Sequence, residues 1–224
     1  MDESRDKSLF ELLHHPRIWR GNEQGEAPTG IATGFAELDA SLPWRGWPPA
    51  ALTEVLLSHY GRGELRLLLP ALARLSQADD GRRLVWIAPP WVPYAPALEA
   101  AGLDLSRLLV VHADSATEIF WAAEQSLRSG SCAAVLVWAR QCQDSGLRRL
   151  QLAASEGDTL GIVFRPDTVG QQFSPAVLRL CVAPEAQGLR VDVIKNRGAR
   201  PVTLQLPLGA AHTRRTLTRL QTKS

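Results

Sequence analysis

The sequence predicts an α/β domain in which a mainly parallel, twisted β-sheet is flanked by helices and finishes in antiparallel strands. From residue 30 onward, short apolar strands alternate with helical segments. This alternation implies crossover connections, which join parallel strands. The last predicted strands follow one another without a helix between them, so they are expected to pair antiparallel. A chain of 224 residues, 45% of them hydrophobic, is long enough for one such domain with extensions.

The predicted elements follow this alternation along the whole chain. Apolar runs bounded by turn-forming residues predict the strands, and apolar residues at helical spacing predict the helices. Asp114-Ser115 and Asp144-Ser145 are expected to cap helices rather than to act in catalysis. The predicted strands are 52–57, 84–88, 108–111, 133–138, 159–164, 178–182 and 188–194, and the predicted helices are 64–76, 94–101, 116–127 and 145–154.

Three regions are predicted along the chain. Residues 1–29 form an N-terminal arm and linker, residues 30–208 the core domain, and residues 209–224 a basic flexible tail. A short amphipathic helix is expected in the arm before Pro16. The apolar side chains of the arm must be buried either on the protein's own core or on a partner; they are Phe10, Leu13, Ile18 and Trp19.

Charge and cysteine usage exclude several classes. The net charge of +2 is too small to predict nucleic-acid binding from the whole chain, although basic residues cluster at 195–200 and 214–223. Three cysteines without a Cys-x-x-Cys pair argue against a disulfide framework and a zinc site, and fit a reducing cytosol. No apolar run of membrane-spanning length and no signal peptide is recognised, so a cytoplasmic protein without a membrane contact is expected.

A degenerate phosphate-binding loop follows the first predicted strand. A working loop ends in Gly-Lys-Ser/Thr, where the lysine meets the phosphates and the hydroxyl holds magnesium. If Gly63 closes the loop that contains Gly61, Glu64 and Leu65 occupy those two places. A carboxylate repels a triphosphate, and leucine offers no ligand to the metal.

Two further positions of an ATPase lack their carboxylates. The aspartate expected at the end of the strand 133–138 is replaced by Trp138. The glutamate that would activate water after the strand 84–88 is absent, because Ala88 is followed by Pro89 and Pro90. The sequence therefore predicts neither catalysis nor a nucleotide cofactor.

The sequence gives only weak support for a metal site or for a hydrolase. His14 and His15 are adjacent and point to different sides of a helix, so they do not predict a metal site. His59, near Ser58 and Asp39, suggests a hydrolase, but no Gly-x-Ser-x-Gly elbow is present. The structural alternative, a remnant turn, is preferred. Of the seven tryptophans, those in apolar elements are predicted to be core residues, namely Trp86, Trp121 and Trp138.

The order of several motifs resembles the core of the RecA recombinase family over roughly residues 30–205. They are Thr33-Gly34-Phe35 with Leu38-Asp39, Glu54-Val55, Asp104-Leu105 with Leu108-Leu109-Val110, and Lys195-Asn196-Arg197. Within that superfamily the chain more closely resembles the ImuA family, the accessory proteins of bacterial translesion-synthesis cassettes. Supporting segments include 19–21, 61–70, 88–90, 94–98, 121–125, 147–154 and 164–166. The division inhibitor family SulA resembles the same fold.

The resemblance implies a protein-binding role in DNA-damage-induced mutagenesis. The implied partners are RecA, an ImuB-type Y-family polymerase-like subunit and an error-prone DNA polymerase III alpha-type subunit, whereas direct contact with DNA is left open. The arm and Lys195, Asn196 and Arg197 are the predicted contacts, because RecA-like subunits use such segments on a neighbour. The alternative, implied by the likeness to SulA, is inhibition of cell division through the tubulin-like protein FtsZ.

Overall fold

The computed structural model describes residues 29–140, 144–196 and 200–208, and the backbone of residues 217–219. An eight-stranded sheet forms the centre of this part of the chain, in the order β4-β2-β5-β6-β1-β7-β8-β9. The strands from β4 to β7 are parallel, whereas β7, β8 and β9 are antiparallel. The predicted fold class is therefore confirmed.

The elements follow the predicted order, and most boundaries agree within two residues. The helices are α1 (Ala36–Ser41), α2 (Glu64–Ser76), α3 (Ala95–Ala100), α4 (Ala116–Arg128) and α5 (Asp144–Glu156). The first strands are β1 (Leu52–Leu57), β2 (Arg83–Ile87), β3 (Trp91–Pro93), β4 (Leu108–Val111) and β5 (Cys132–Trp138). The later strands are β6 (Leu160–Pro166), β7 (Leu178–Glu185), β8 (Gly188–Asn196), β9 (Val202–Pro207) and β10 (Leu217–Arg219).

Two hydrophobic cores lie on opposite faces of the sheet. On one face α1, α2 and α3 pack through residues such as Leu38, Leu68 and Leu98. On the other face α4 and α5 pack through residues such as Leu127 and Leu150. The central strands are buried on both faces, which explains why they are continuously apolar in the sequence rather than alternating.

The antiparallel strands are covered on one face only. In β8, Leu189, Val191 and Val193 are buried, while Arg190 and Asp192 between them face outward. This alternation is typical of a sheet with one wet face. The wet face lies on the side of the sheet that carries α4 and α5, because the buried residues of β8 belong to the core beneath α2.

Four elements of the structure are absent from the sequence prediction: α1, β3, β9 and β10. The helix α1 and the strand β3 are too short to carry a strong periodic signal, whereas Val202, Leu204 and Leu206 of β9 alternate with polar residues, a strand pattern that the sequence prediction did not include. Residues 217–219 lie in the predicted flexible tail, yet their backbone pairs antiparallel with β3. None of the helices in the described ranges is long and apolar enough to cross a membrane.

The prediction that Trp121 belongs to the core is wrong. Its side chain is 63% exposed on the outer side of α4, whereas Trp86 and Trp138 are buried as predicted. The apolar residues around Trp121 in the sequence reflect the inner side of the same helix, where Ala123 and Leu127 are buried. An aromatic residue in an amphipathic helix thus gave a misleading signal for burial.

Candidate functional site

The degenerate phosphate-binding loop lies at the carboxyl end of β1, where it turns into α2. In parallel α/β sheets, ligands bind at this edge, and the N-terminus of the following helix favours an anion. Gly61 and Gly63 adopt positive φ angles of 79° and 113°. A side chain at Gly63 would also approach Leu189 within 2.9 Å. The loop therefore retains the backbone shape that requires glycine.

The carboxylate of Glu64 is bound by the loop itself. One oxygen accepts a hydrogen bond of 2.6 Å from the amide of Gly61, and the other accepts one of 2.9 Å from the amide of Arg62. Glu64 is the first residue of α2 and is only 3% exposed. Loop amides of this kind cradle phosphate in a working nucleotide site.

This arrangement refines the sequence prediction, which treated Glu64 only as a charge that repels phosphate. The carboxylate occupies the donors and also gains from the positive end of the helix dipole. An incoming phosphate would have to displace a buried, hydrogen-bonded carboxylate and then face its charge. The loop is thus closed by its own side chain, which acts as an internal anion.

An aromatic cluster fills the neighbouring carboxyl ends of the strands. Trp138, at the end of β5, stacks on Phe164 with ring centroids 4.7 Å apart and an interplanar angle of 29°. Trp86 contacts the same indole at 5.9 Å and 60°. Aromatic pairs at these distances attract one another beyond the effect of burial. An indole thus lies where a metal-anchoring aspartate would stand in an ATPase.

Beside this cluster runs an open groove around Tyr60, Pro90 and Arg140. These three residues line both of its pockets, which have volumes of about 400 and 360 Å³. The guanidinium of Arg140 lies 6.0 Å from the centre of the Tyr60 ring. Burial raises the pKa of the Tyr60 hydroxyl above its usual value, and Arg140 opposes this shift. The groove offers apolar walls and one cation, a chemistry suited to binding rather than to bond cleavage.

A buried charge cluster supports β1 from within. Glu54 is fully buried, and its carboxylate forms ion pairs with Arg165 at 2.6 Å and with Arg179 at 2.7 Å. Arg179 also donates hydrogen bonds to the carbonyls of Val169, Gly170 and Gln172. The cluster fastens the segment after β6 to the sheet, because a buried charge must be paired and hydrogen-bonded. Residues so far apart in the sequence gave no signal of this pairing.

The structure gives Asp39, which the sequence analysis considered for a hydrolase, a different role. Asp39 accepts a hydrogen bond of 2.8 Å from the amide of Thr33, and so it closes the turn before α1. Gly34 in that turn has φ of 95°, and a side chain there would come within 2.4 Å of Pro70. Asp39 therefore has a structural role in this turn, as the turn alternative predicted. Within the described ranges, no group of three or more His, Cys, Asp or Glu side chains could hold a metal ion.

Two of the predicted partner contacts can be located. The ammonium of Lys195 donates a hydrogen bond of 2.7 Å to the carbonyl of Ser174 and lies 5.9 Å from the centre of the Phe173 ring. The Asn196 amide donates a weak bond of 3.3 Å to the carbonyl of Ser41. Asn196 thus ties the end of β8 to the end of α1. The other predicted contacts lie outside the described residues: Phe10, Leu13, Ile18, Trp19 and Arg197.

The surroundings of Lys195 include residues that the sequence analysis did not single out. Phe173 is 63% exposed, and the guanidinium of Arg148 on α5 lies 5.7 Å from its ring centre. The polar residues that flank Phe173 could have marked an exposed loop. Its contact with α5 could not be foreseen, since it depends on how the chain returns to the sheet.

Comparison with known proteins identifies a family. The model described as cell division inhibitor SulA matches residues 51–161, from the start of β1 to the start of β6. SulA from Photorhabdus laumondii is 32% identical over 114 residues, which are 51% of this chain and 63% of that protein. The first four curated relatives are matched over only 60–63% of their own length.

A crystal structure of SulA from Pseudomonas aeruginosa is similar at 29% identity with a TM-score of 0.44, covering 53% of this chain and 99% of the other. The narrower resemblance to ImuA stays a prediction. The curated SulA of Pseudomonas aeruginosa is 34% identical over 118 residues, which are 52% of this chain and 73% of that protein. The chain therefore belongs to the SulA family.

Proposed function

We propose that this chain is a protein-binding member of the bacterial response to DNA damage and that it works without nucleotide. The observation that carries this proposal is the Glu64 carboxylate, which takes up the amides of Gly61 and Arg62. A RecA-like subunit changes its contacts when a nucleotide enters the loop. In this proposal, a loop that is permanently filled by its own side chain keeps one conformation and does not bind nucleotide.

The first candidate partner is the division protein FtsZ. It is supported by the family match over residues 51–161 and by curated relatives described as cell division inhibitors. Inhibition by sequestering a partner requires a folded surface and no catalysis. In this proposal the chain binds FtsZ and blocks its assembly after DNA damage.

The second candidate is an accessory role in translesion synthesis, with RecA, an ImuB-type subunit and an error-prone polymerase as partners. It is supported by the part of the chain outside the family match. Beyond residue 161 the sheet continues through β7, β8 and β9, and Lys195 and Asn196 of the RecA-like motif lie at the end of β8. The match to SulA accounts for only half of the chain.

Affinity capture of the tagged full chain from DNA-damaged cells, read by mass spectrometry, separates the two candidates. We expect a nucleotide-independent partner, so the captured protein should be the same with and without ATP. Recovery of FtsZ alone would support division inhibition. Recovery of RecA with polymerase-like subunits would support the accessory role.

A second measurement tests the proposal independently of the partner. Titration of the purified chain with a fluorescent ATP analogue should show no saturable binding. Tight binding that changes partner capture would contradict the proposed nucleotide independence. Capture of none of these proteins under DNA damage would contradict both candidates.

A further inference from the structure

Several large apolar side chains are exposed on the side of the sheet that carries α4 and α5. They include Trp121 on α4, Leu152 on α5, Phe173 in the loop before β7, and Ile194 on the wet face of β8. The first three are 60–63% exposed. Exposed apolar residues are normally scattered singly, so a group on one side marks an interaction site.

From the contacts of residues one helical turn away, we infer that the first three side chains lie near one another. Trp121 lies one turn before Glu124, which forms an ion pair with Arg149, and Leu152 lies one turn after Arg149. Arg148 lies one turn before Leu152 and contacts the ring of Phe173. We call the group of Trp121, Arg148, Leu152, Phe173 and Lys195 the α4–α5 surface.

The charge of this surface indicates the kind of partner. Glu124 is neutralised by Arg149 and Arg128, so it leaves no excess negative charge there. Arg148 forms no ion pair with any residue in the described ranges, and it lies over Phe173. Lys195 lies over the same ring. One exposed apolar side chain on each of two packed helices, with Phe173 beside them and cations at the border, complements an amphipathic helix with acidic flanks.

We propose that the α4–α5 surface binds an acidic amphipathic helix of a partner protein. The inference rests on the proposed function, since it assumes that the chain acts by binding proteins. Single-stranded nucleic acid fits less well, because Leu152 gives a base no ring to stack on and the net charge of the chain is only +2. Trp121 is the expected anchor, since tryptophan contributes most often to the affinity of interfaces.

Photo-crosslinking in DNA-damaged cells tests this inference with the full chain. The photoreactive residue p-benzoylphenylalanine replaces Trp121, and the attached peptide is sequenced by mass spectrometry. Tyr94 is the matched control position, because it is 52% exposed and precedes α3, which packs on the opposite face of the sheet. We expect an adduct at position 121 with an acidic amphipathic helix, and none with the same peptide at position 94.

Reversing the charge of Arg148 tests whether the crosslinked partner segment is acidic. In the chain crosslinked through position 121, Arg148→Glu should reduce the adduct about tenfold, because it repels an acidic helix. Arg107→Glu, on the far side of the sheet at the start of β4, should leave the yield unchanged. Circular dichroism and urea unfolding of each variant show whether the fold is intact.

Several outcomes would overturn the proposal. They are an adduct with residues 1–28 of this chain, with a second copy, with nucleic acid or with a basic segment, an adduct unaffected by Arg148→Glu, or no adduct at all. If affinity capture still recovers a partner in any of these cases, the inference fails while the proposed function stands. If capture also recovers none, both fail.

Discussion

The phosphate loop and the α4–α5 surface use polar and apolar groups in opposite ways. In the loop, the buried Glu64 satisfies the amides that a ligand would otherwise bind. On the α4–α5 surface, Trp121 and Phe173 are each 63% exposed, and Arg148 has no ionic partner in the described ranges. The hydrogen-bond donors of the loop are satisfied within the chain, whereas the apolar side chains of the α4–α5 surface are exposed and can contact a partner.

This difference indicates which of the two regions is available to bind a ligand or a partner. An internal carboxylate binds its loop at a high effective concentration, so a dissolved phosphate competes poorly with it. Exposed aromatic side chains keep their apolar area available and lose it from water only when a partner arrives. A partner therefore has open apolar area to bind on the α4–α5 surface and no free amides to bind in the loop.

The largest expected effect distinguishes two tryptophans. Trp138→Ala should lower the free energy of unfolding by about 3–5 kcal/mol, because it removes the buried indole that packs between Trp86 and Phe164. Trp121→Ala should change it by less than about 0.5 kcal/mol, since that side chain is mostly in water. Urea unfolding followed by circular dichroism measures both. Equal losses would show that Trp121 supports the fold and is not free for binding.

An intermediate effect is expected at the loop. Glu64→Ala should cost about 1–3 kcal/mol, because two loop amides lose their charged acceptor. Inorganic phosphate should then raise the melting temperature of the variant but not that of the original chain, since the emptied amides become available to an anion.

The control for this experiment is Glu37→Ala, because Glu37 is an exposed glutamate in the first turn of α1. It should neither lower stability appreciably nor create a response to phosphate. Stabilisation of the original chain by phosphate would contradict the internal-anion interpretation of Glu64.

The smallest effect concerns the ion pairs beneath the α4–α5 surface. The hydrogen bond from Arg149 lowers the pKa of Glu124 below its usual value, and Arg128 adds to this shift. A lowered pKa means that the stabilisation is present above the usual carboxyl pKa and is lost as the pH falls through the lowered value. Glu124→Gln should therefore weaken the acid dependence of stability, by about 1 kcal/mol or less.

Thermal unfolding between neutral and acidic pH measures this effect, with Glu37→Gln as the matched control. The melting temperatures of the Glu124→Gln variant and of the original chain should converge below the lowered pKa. Parallel curves for the two proteins would show that the pairs contribute nothing to holding α4 against α5.

Local sequence patterns determine much of this fold. The bounds of α2, β1 and β4 agree with the prediction residue for residue, because strong apolar runs there end at clear turn signals. The residues that we compared with an ATPase, Glu64, Leu65 and Trp138, are also read from the chain itself. These properties depend on residue type and spacing over a few neighbouring positions.

The sequence predicted which residues lie in the site but not the contacts between their side chains. The sequence places Glu64 in the loop, but it does not reveal that the carboxylate turns back onto Gly61 and Arg62. Glu54 likewise meets Arg165 and Arg179 only because β1 lies between β6 and β7. Such contacts depend on crossover connections that bring distant segments together.

The sequence alone therefore determined the class of fold and the order of most of its elements. Only the tertiary structure decided that Glu64 fills its own loop and that Trp121 points into water rather than into the core. The physical reason is that periodicity identifies an amphipathic helix by its average, while the exposure of one side chain depends on what the sheet and the neighbouring helix cover.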